Sequence, residues 1–269
     1  MKTVLTCLAI LALGATHASA QTDPDNPDSI AGVRQGRHDE AGTMRGFPGV
    51  ALRHGNALTV SRNGHPVARF TDKYIGHCEG FETCSVWRFA GEVTLLTAPG
   101  KPEPYVEVHH FIGEGGDFRL IAADGSITTL QDYPKASANG RYAAVGETEG
   151  ESDGYLSIID WSSPGHRTTA DFKSPCEPIK WKSANVLQVI CSREGTTTHA
   201  TLAIVKHLGQ AWRLEDISAA DETTQKPMPK ATFKPYGESA VVSTATEPSA
   251  KDKANGDAYD RKSGYEKLN

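Results

Sequence analysis

Short runs of β-branched and aromatic residues, broken by Gly, Asn, Asp and Pro, fill the middle of this 269-residue chain. Helical periodicity is almost absent there, so the pattern predicts antiparallel strands that follow one another along the chain. Asn-Gly and Asp-Gly tolerate the positive φ angles of tight hairpin turns, and such pairs stand at Asn63 and Asp124. The predicted hairpins span residues 58–70, 86–96 with its turn at Gly91, 118–130, 155–172 and 202–217. The predicted fold class is all-β, an antiparallel β-meander.

A Glu-Gly pair recurs every 35 to 45 residues, in the loop before successive predicted hairpins. Its glutamates are Glu79, Glu114, Glu149 and Glu194. A repeat of this length made of antiparallel strands is typical of radial or stacked β architectures. In a radial arrangement these candidate binding residues share one face and form an acidic rim that attracts a cationic partner. The simpler interpretation is that Gly makes each turn and Glu keeps it solvated.

Residues 137–145, followed by 154–160, resemble a blade of the WD-repeat and TolB-like periplasmic propellers. The resemblance extends more loosely over residues 50–217 and implies a propeller-like fold of about five short blades. These families share no fixed catalytic set, so the resemblance implies a fold and no reaction. A blade has four strands, yet the chain between Phe70 and Tyr74 leaves no room for an extra one. A β-sandwich or barrel is therefore the alternative.

The first twenty residues have the pattern of a cleavable secretory signal. Lys2 supplies the positive start, an apolar run follows, and Ala18 and Ala20 flank a small residue, as a signal peptidase requires. We therefore predict a signal peptide at 1–20, cleavage before Gln21, and a periplasmic or secreted protein. The apolar run is too short to span a membrane, and no later segment approaches the necessary length.

The chain divides into three parts after the signal. Residues 21–46 are rich in Asp, Pro and Gly, which predicts a flexible N-terminal segment. Residues 47–217 hold the predicted β-repeat domain. Residues 218–269 lack periodicity, so we predict a largely disordered tail. Within that tail the apolar run 240–242 is a candidate for one added strand.

Cleavage of the signal leaves an even number of cysteines in an oxidising compartment, which predicts disulfides. Cys78 and Cys84 bracket a short loop between two apolar runs, so a bridge across that loop is expected. Cys176 and Cys191 lie symmetrically about a predicted turn at 182–185, so they should face each other across two strands. A zinc site is the alternative, but neither pair has the CxxC spacing of such sites. We predict no metal at these cysteines.

Few motifs in the chain carry chemistry. The net charge of −5 is scattered, which argues against a nucleic-acid partner, since such partners need a basic stripe. A serine hydrolase elbow, a Ser-x-x-Lys pair, a His-Glu-x-x-His helix and a phosphate loop are all absent. His109 and His110 are adjacent in a predicted strand, so their rings should point to opposite faces and cannot chelate one ion side by side. A structural role is the better interpretation for both.

The segment 147–153 alternates carboxylates with small residues. Exported proteins meet millimolar Ca²⁺, so a calcium loop is one interpretation. Glutamates stand where a tight calcium loop uses shorter aspartates, and no distal Glu closes the shell. We favour a solvated acidic hairpin loop, and we predict no cofactor.

Two functions of different classes remain. The absence of a catalytic signature and the repeated loops favour an exported, non-catalytic binding or scaffold protein whose partner is a protein or a small ligand, with a cationic partner as the option that the acidic rim favours. The alternative is a hydrolase acting on glycans through carboxylates from separate loops. Two carboxyl groups roughly 5–10 Å apart, one of them in an apolar setting, would favour that enzyme.

Overall fold

A computed structural model describes residues 30–74, 84–98, 100–112, 115–148, 154–162, 167–193, 200–209, 211–221, 223–228, 235–244 and 262–268. The fold is all-β, as predicted, and its sheets are antiparallel. The described strands form four sheets, whereas about five blades were expected from the resemblance to propellers.

Two sheets are built from the N-terminal half. The first sheet holds β1 (Ala51–His54), β2 (Ala57–Arg62), β3 (His65–Thr71) and, from the far end of the chain, β20 (Tyr265–Lys267). The second sheet holds β4 (Lys73–Tyr74), β5 (Cys84–Ala98), β6 (Lys101–Ile112), β7 (Gly115–Ile121) and β8 (Ile127–Leu130).

Two further sheets follow. The third sheet holds β9 (Lys135–Ala136), β10 (Tyr142–Glu147), β11 (Tyr155–Asp160), β12 (Thr168–Phe172) and β19 (Val241–Thr244). The fourth sheet holds β13 (Cys176–Ser183), β14 (Val186–Ser192), β15 (Ala200–Leu208), β16 (Ala211–Asp221) and β17 (Lys226–Pro227), with β18 (Gly237–Ser239) also paired to β16.

The core lies in layers between sheets that follow one another along the chain. Phe70 and Trp87 belong to the layer between the first and second sheets, and their ring centroids are 4.6 Å apart. Tyr105 and Trp161 belong to the layer between the second and third sheets. Tyr142 packs with fourth-sheet side chains in the layer between the third and fourth sheets. Alternating side chains of one sheet thus enter successive layers, as period-2 strands allow.

Four of the five predicted hairpins are confirmed, namely β2–β3, β7–β8, β11–β12 and β15–β16. Asn63 and Gly64 adopt φ angles of 51° and 79°, as a tight turn between twisted strands requires. The prediction of a turn at Gly91 is wrong, because β5 runs through it from Cys84 to Ala98. The register against β6 shifts between Phe89 and Gly91, so this glycine makes a β-bulge.

The predicted bridge between Cys176 and Cys191 is confirmed. The two residues are direct partners in the β13–β14 register, and the turn lies between Ser183 and Val186. Their backbones approach the neighbouring third sheet closely at Gly146, where a Cβ would lie 2.4 Å from the Cys176 carbonyl oxygen. Cys78 lies outside the described residues, so its pairing with Cys84 stays a prediction.

Residues 21–46, predicted to be flexible, contain the 16-residue helix α1 (Ile30–Arg45). The helix lacks a strong apolar stripe. Its Met44 packs against the core layer between the first and second sheets, and charged side chains also hold it. Glu40 is buried, accepts a hydrogen bond from the Phe89 amide at 2.7 Å and pairs with Arg53. Asp72 pairs with Arg53 and Arg37, at 3.0 Å each. A helix held by buried ion pairs gives no periodic signal, which explains the error.

Residues 218–269, predicted to be largely disordered, contribute strands to three of the sheets. The strand predicted from the apolar run 240–242 is confirmed as β19, which pairs with β12. The boundary at 217/218 falls inside β16, and Ala219 and Ala220 are buried beyond it. β20 pairs with β3, where Tyr265 and its partner Phe70 are about 200 residues apart in the chain. Among the described helices, none has the length and apolarity to cross a membrane.

Candidate functional site

A cavity of about 290 Å³ lies between the third and fourth sheets. The third sheet lines it with two rows of cross-strand partners. One row is polar, with Tyr142, Asp160 and Thr168, and the next is apolar, with Ile158, Ala170 and Val242. The fourth sheet closes it with His207, Gly209 and Trp212, and Arg141 stands at its mouth. A polar edge thus faces an apolar and aromatic wall.

The polar edge is organised by a tight turn. Asn139 and Gly140 form the turn that leads into β10, and the Tyr142 amide donates to the Ser137 hydroxyl at 2.9 Å. This places Arg141 beside Asp160, at the end of β11. The guanidinium donates to Asp160 Oδ2 from Nη2 at 2.9 Å and from Nε at 3.2 Å.

Asp160 is held in its ionised form. Burial opposes ionisation, but hydrogen bonds from Arg141 and from the Ser162 hydroxyl and amide hold the pKa of Asp160 below its ordinary value. The Arg141 side chain remains 45 % exposed, and the pair with Asp160 raises its pKa. The two charges offset each other, so the mouth of the cavity presents directed hydrogen-bonding groups with little net charge.

The aromatic wall is built from both sheets. Trp212 meets Tyr142 edge to face, with centroids 4.9 Å apart, and stacks on His207 at 4.6 Å. The register explains the second contact, because His207 and Trp212 are direct cross-strand partners. Trp181 packs behind them and donates through Nε1 to the Lys135 carbonyl at 2.7 Å. These contacts fix the ring positions before any ligand arrives.

His207 contributes a neutral ring to this wall. Burial, followed by the nearby charge of Arg141, lowers its pKa below the ordinary value. Since an unperturbed histidine titrates near pH 6.5, the imidazole of His207 is uncharged at neutral pH. It therefore offers one donor and one acceptor nitrogen.

A second cavity, of about 540 Å³, lies at the β2–β3 turn. It is lined by Pro48, Gly49, Val50, Ser61, Arg62, Asn63, Gly64, Glu103, Pro104 and Ala123. This lining has no aromatic ring, and its side chains are mostly small. The cavity between the third and fourth sheets has the better combination of apolar wall and convergent polar groups, which marks ligand sites.

The predicted binding residues Glu79, Glu114, Glu149 and Glu194 lie outside the described residues. The acidic rim therefore stays a prediction. The calcium interpretation of 147–153 likewise stays an interpretation, since only Glu147 of its carboxylates is described. Within the described ranges, no group of three or more His, Cys, Asp or Glu side chains is placed to hold a metal ion.

The segment that resembles a propeller blade contains Arg141, Tyr142 and Asp160, but none of the three was predicted as a site residue. Their strand positions were predicted, and one signal was present, because an Arg and an Asp stand at matching ends of two predicted strands. His207 and Trp212 gave no such signal. Their approach to Tyr142 depends on the packing of two sheets.

The adjacent histidines point to opposite faces of the second sheet, as predicted. His110 stacks on Trp87, toward the first sheet, with centroids 3.6 Å apart. His109 stacks on Phe118, on the other face, at 4.1 Å. Burial, followed by the charge of Arg88, lowers the pKa of His109 to about 4.

Glu107 is a buried carboxyl in the same sheet, with only 2 % of its surface exposed. Burial raises its pKa from the ordinary 4.5 to about 7, although a hydrogen bond with Tyr133 and the charge of Lys135 act in the opposite direction. This is one half of the carboxylate pair that the glycan hydrolase alternative requires. The other half of the pair needs a second carboxyl at a suitable distance. The groups that shift the pKa of Glu107 belong to Tyr133 and Lys135, and neither of them is a carboxyl.

The raised pKa of Glu107 predicts a stability that depends on pH. The folded state holds the Glu107 proton more tightly than the unfolded chain does. The contribution of Glu107 to the free energy of unfolding therefore falls as pH rises from about 4.5 to 7 and is constant above pH 7. At pH 8 the free energy of unfolding of the variant Glu107→Gln should exceed that of the parent by about 3–4 kcal/mol, at roughly 1.4 kcal/mol per pKa unit. Urea unfolding at pH 5 and pH 8 measures this difference. Glu266→Gln, on the exposed edge of β20, is the control, and an equal response of both variants would contradict the prediction.

No protein-family model, no curated protein and no solved structure matches the chain. The propeller-like architecture expected from residues 137–160 therefore stays a prediction.

Proposed function

We propose that this is an exported binding protein whose cavity between the third and fourth sheets holds a small uncharged ligand. Export rests on the signal pattern at 1–20. The observation that carries the binding site is the cavity itself, in which the Arg141–Asp160 pair faces the wall of Tyr142, His207 and Trp212. Pre-formed apolar walls with a few convergent polar groups are the usual form of small-molecule sites.

The chemistry of the cavity selects a ligand class. Its volume of about 290 Å³ is at the lower end of the range for ligand sites, roughly 300–1,000 Å³. The charges at the mouth offset each other, which disfavours a strongly charged ligand. The guanidinium and carboxylate offer donors and acceptors side by side, and the rings offer an apolar surface. A sugar-sized polyol, with one apolar face and hydroxyl groups on its edge, satisfies both.

The test is ligand-observed NMR with a panel of monosaccharides added to the mature chain. At least one member should show saturation transfer, and Asp160→Asn or Arg141→Met should weaken its binding at least tenfold. Each substitution removes one partner of the pair at the mouth, so the other charge is left without its counter-ion. Both residues lie at the cavity edge, so the melting temperature should change little.

Arg213→Met is the matched control. Arg213 is exposed on β16, next to Trp212 but on the other face of the strand. Its substitution therefore removes the same charge as Arg141→Met without touching the cavity. Its binding should equal that of the parent. Equal loss in Arg213→Met and Arg141→Met would show a non-specific charge effect, and absence of saturation transfer from the whole panel would refute the polyol class.

A further inference from the structure

Three side chains on adjacent strands of the second sheet lie in one line. Ser85 Oγ is 2.8 Å from His110 Nε2, and His110 Nδ1 is 3.7 Å from Asp117 Oδ2. The register places them on one face, because His110 pairs with Trp87 in β5 and with Asp117 in β7, while Ser85 lies two residues before Trp87. Hydroxyl, imidazole and carboxylate in this order are the parts of an activated serine nucleophile.

Neighbouring groups hold the second and third members in place. The indole of Trp87 stacks on the His110 ring at 3.6 Å and is inclined to it by 5°. Arg119 donates to both oxygens of Asp117, at 2.6 and 3.1 Å. Burial opposes ionisation of Asp117, but the nearby His110 imidazole, 3.7 Å away and beyond hydrogen-bond distance, and the hydrogen bonds from Arg119 keep its pKa below the ordinary value. The carboxylate is therefore ionised and oriented toward the imidazole.

A C-terminal strap, residues 262–268, covers this line. The Ser263 carbonyl oxygen accepts hydrogen bonds from Ser85 Oγ at 2.7 Å and from Trp87 Nε1 at 3.1 Å. Ser85, His110 and Ser263 are fully buried. The strap is held by β20, which pairs with β3, and by Tyr265, whose hydroxyl donates to the Gly125 carbonyl at 2.9 Å.

The strap decides where the serine proton points. A hydroxyl has one hydrogen, so while Ser85 donates to the Ser263 carbonyl it accepts from His110 Nε2. Without that carbonyl, the hydroxyl is available to donate to Nε2, provided that His110 carries its proton on Nδ1, toward Asp117. The indole N–H of Trp87 is then available to a different carbonyl oxygen. A substrate carbonyl oxygen placed where Ser263 O now lies would accept from this indole N–H.

We propose that Ser85, His110 and Asp117 form an acyl-transfer site for small carboxylic esters, and that the strap closes it. This goes beyond the proposed binding function and lies in a different pair of sheets. Ser85 Oγ attacks the ester carbonyl carbon while its proton passes to His110 Nε2. The C–O bond to the alcohol breaks, and that proton leaves with the alcohol. Water, deprotonated by His110, then releases the acid and restores the Ser85 hydroxyl.

Gly264 offers a way to open the strap in the full chain. Its φ is +103°, and a Cβ there would lie 2.3 Å from the Thr71 carbonyl oxygen, so Gly264→Val should displace the strap from β3. A fluorophosphonate probe should then label Ser85 at least ten times faster than in the parent, and hydrolysis of p-nitrophenyl acetate should rise in parallel. Peptide mass spectrometry locates the label. Adding Ser85→Ala should abolish both.

Gly237→Ala is the matched control, because its Cβ would meet nothing closer than 3.7 Å, and labelling should stay at the parent rate. Tyr265→Ala is a second opening variant, since it removes the ring that packs on Phe70 and the hydroxyl bonded to Gly125. Tyr265→Ala replaces Gly264→Val in the labelling experiment if Gly264→Val fails to fold. Hydrogen exchange at the amides of Thr71 and Leu268 reports opening, because both bond across the strap. Unlabelled Ser85 in a folded variant with fast exchange at these amides overturns the proposal.

Discussion

Replacing Arg53 by methionine is expected to lower the free energy of unfolding by about 3–5 kcal/mol, the usual cost of breaking a buried ion pair. Arg53 donates to Glu40 and Asp72, at 3.0 Å each, and to the Trp87 carbonyl. Both carboxylates are 2 % exposed, so the substitution removes the Arg53 counter-ion from Glu40 and leaves Asp72 with its pair to Arg37. Urea unfolding monitored by tryptophan fluorescence measures the loss.

Two further variants define the origin of that loss. Lys206→Met breaks an exposed pair with Glu215, at 3.1 Å, and should change stability by less than about 1 kcal/mol. Glu40→Gln added to Arg53→Met removes the stranded carboxylate charge and should recover part of the loss. If Arg53→Met had the same free energy of unfolding as the parent, the prediction would be wrong. α1 would then dock without the ion pairs of Arg53.

Removing the Cys176–Cys191 bridge should cost about 3 kcal/mol, the value expected for a closed loop of this length. The sequence separation is 15 residues, and both cysteines are fully buried in the layer between the third and fourth sheets. The double variant Cys176→Ala with Cys191→Ala removes the cross-link and leaves small apolar side chains in the core. Urea unfolding under oxidising conditions compares it with the parent.

Reductant provides the control for the disulfide. The parent should lose stability on reduction, and the double alanine variant should lose far less, so the difference isolates this bridge. Any response that remains in the double variant reports on Cys78 and Cys84, whose predicted pairing lies outside the described residues. A parent that is unaffected by reduction would contradict the prediction.

The strand pattern and most of the turns follow from local sequence. Asn63 and Gly64 adopt the positive φ angles that tight turns need, and the spacing of Cys176 and Cys191 about their turn predicted their bridge. These features depend on residues close together in the chain, and side chains of alternating polarity set which face of each strand is buried. Gly91 is the exception, since a lone glycine in a strand pattern is compatible with a turn or with a bulge.

The helix α1 and the strand β20 were missed for a different reason. α1 is held by Glu40 and Arg37, whose partners lie on other elements, so no apolar period marks it. β20 has three residues, and its partner β3 lies about 200 residues earlier. Neither element has enough local signal, because its stability comes from contacts with distant parts of the chain.

The all-β class, four of the five hairpins and the Cys176–Cys191 bridge were predictable from the sequence, because each follows from local periodicity and turn chemistry. Which side chains meet between sheets depends on the packing of whole sheets and could not be predicted from the sequence. The tertiary structure placed His207 and Trp212 against Tyr142, and it placed the Ser263 carbonyl on Ser85. The order of residues along a strand fixes the face each one occupies, but the apposition of two sheets depends on how whole layers pack.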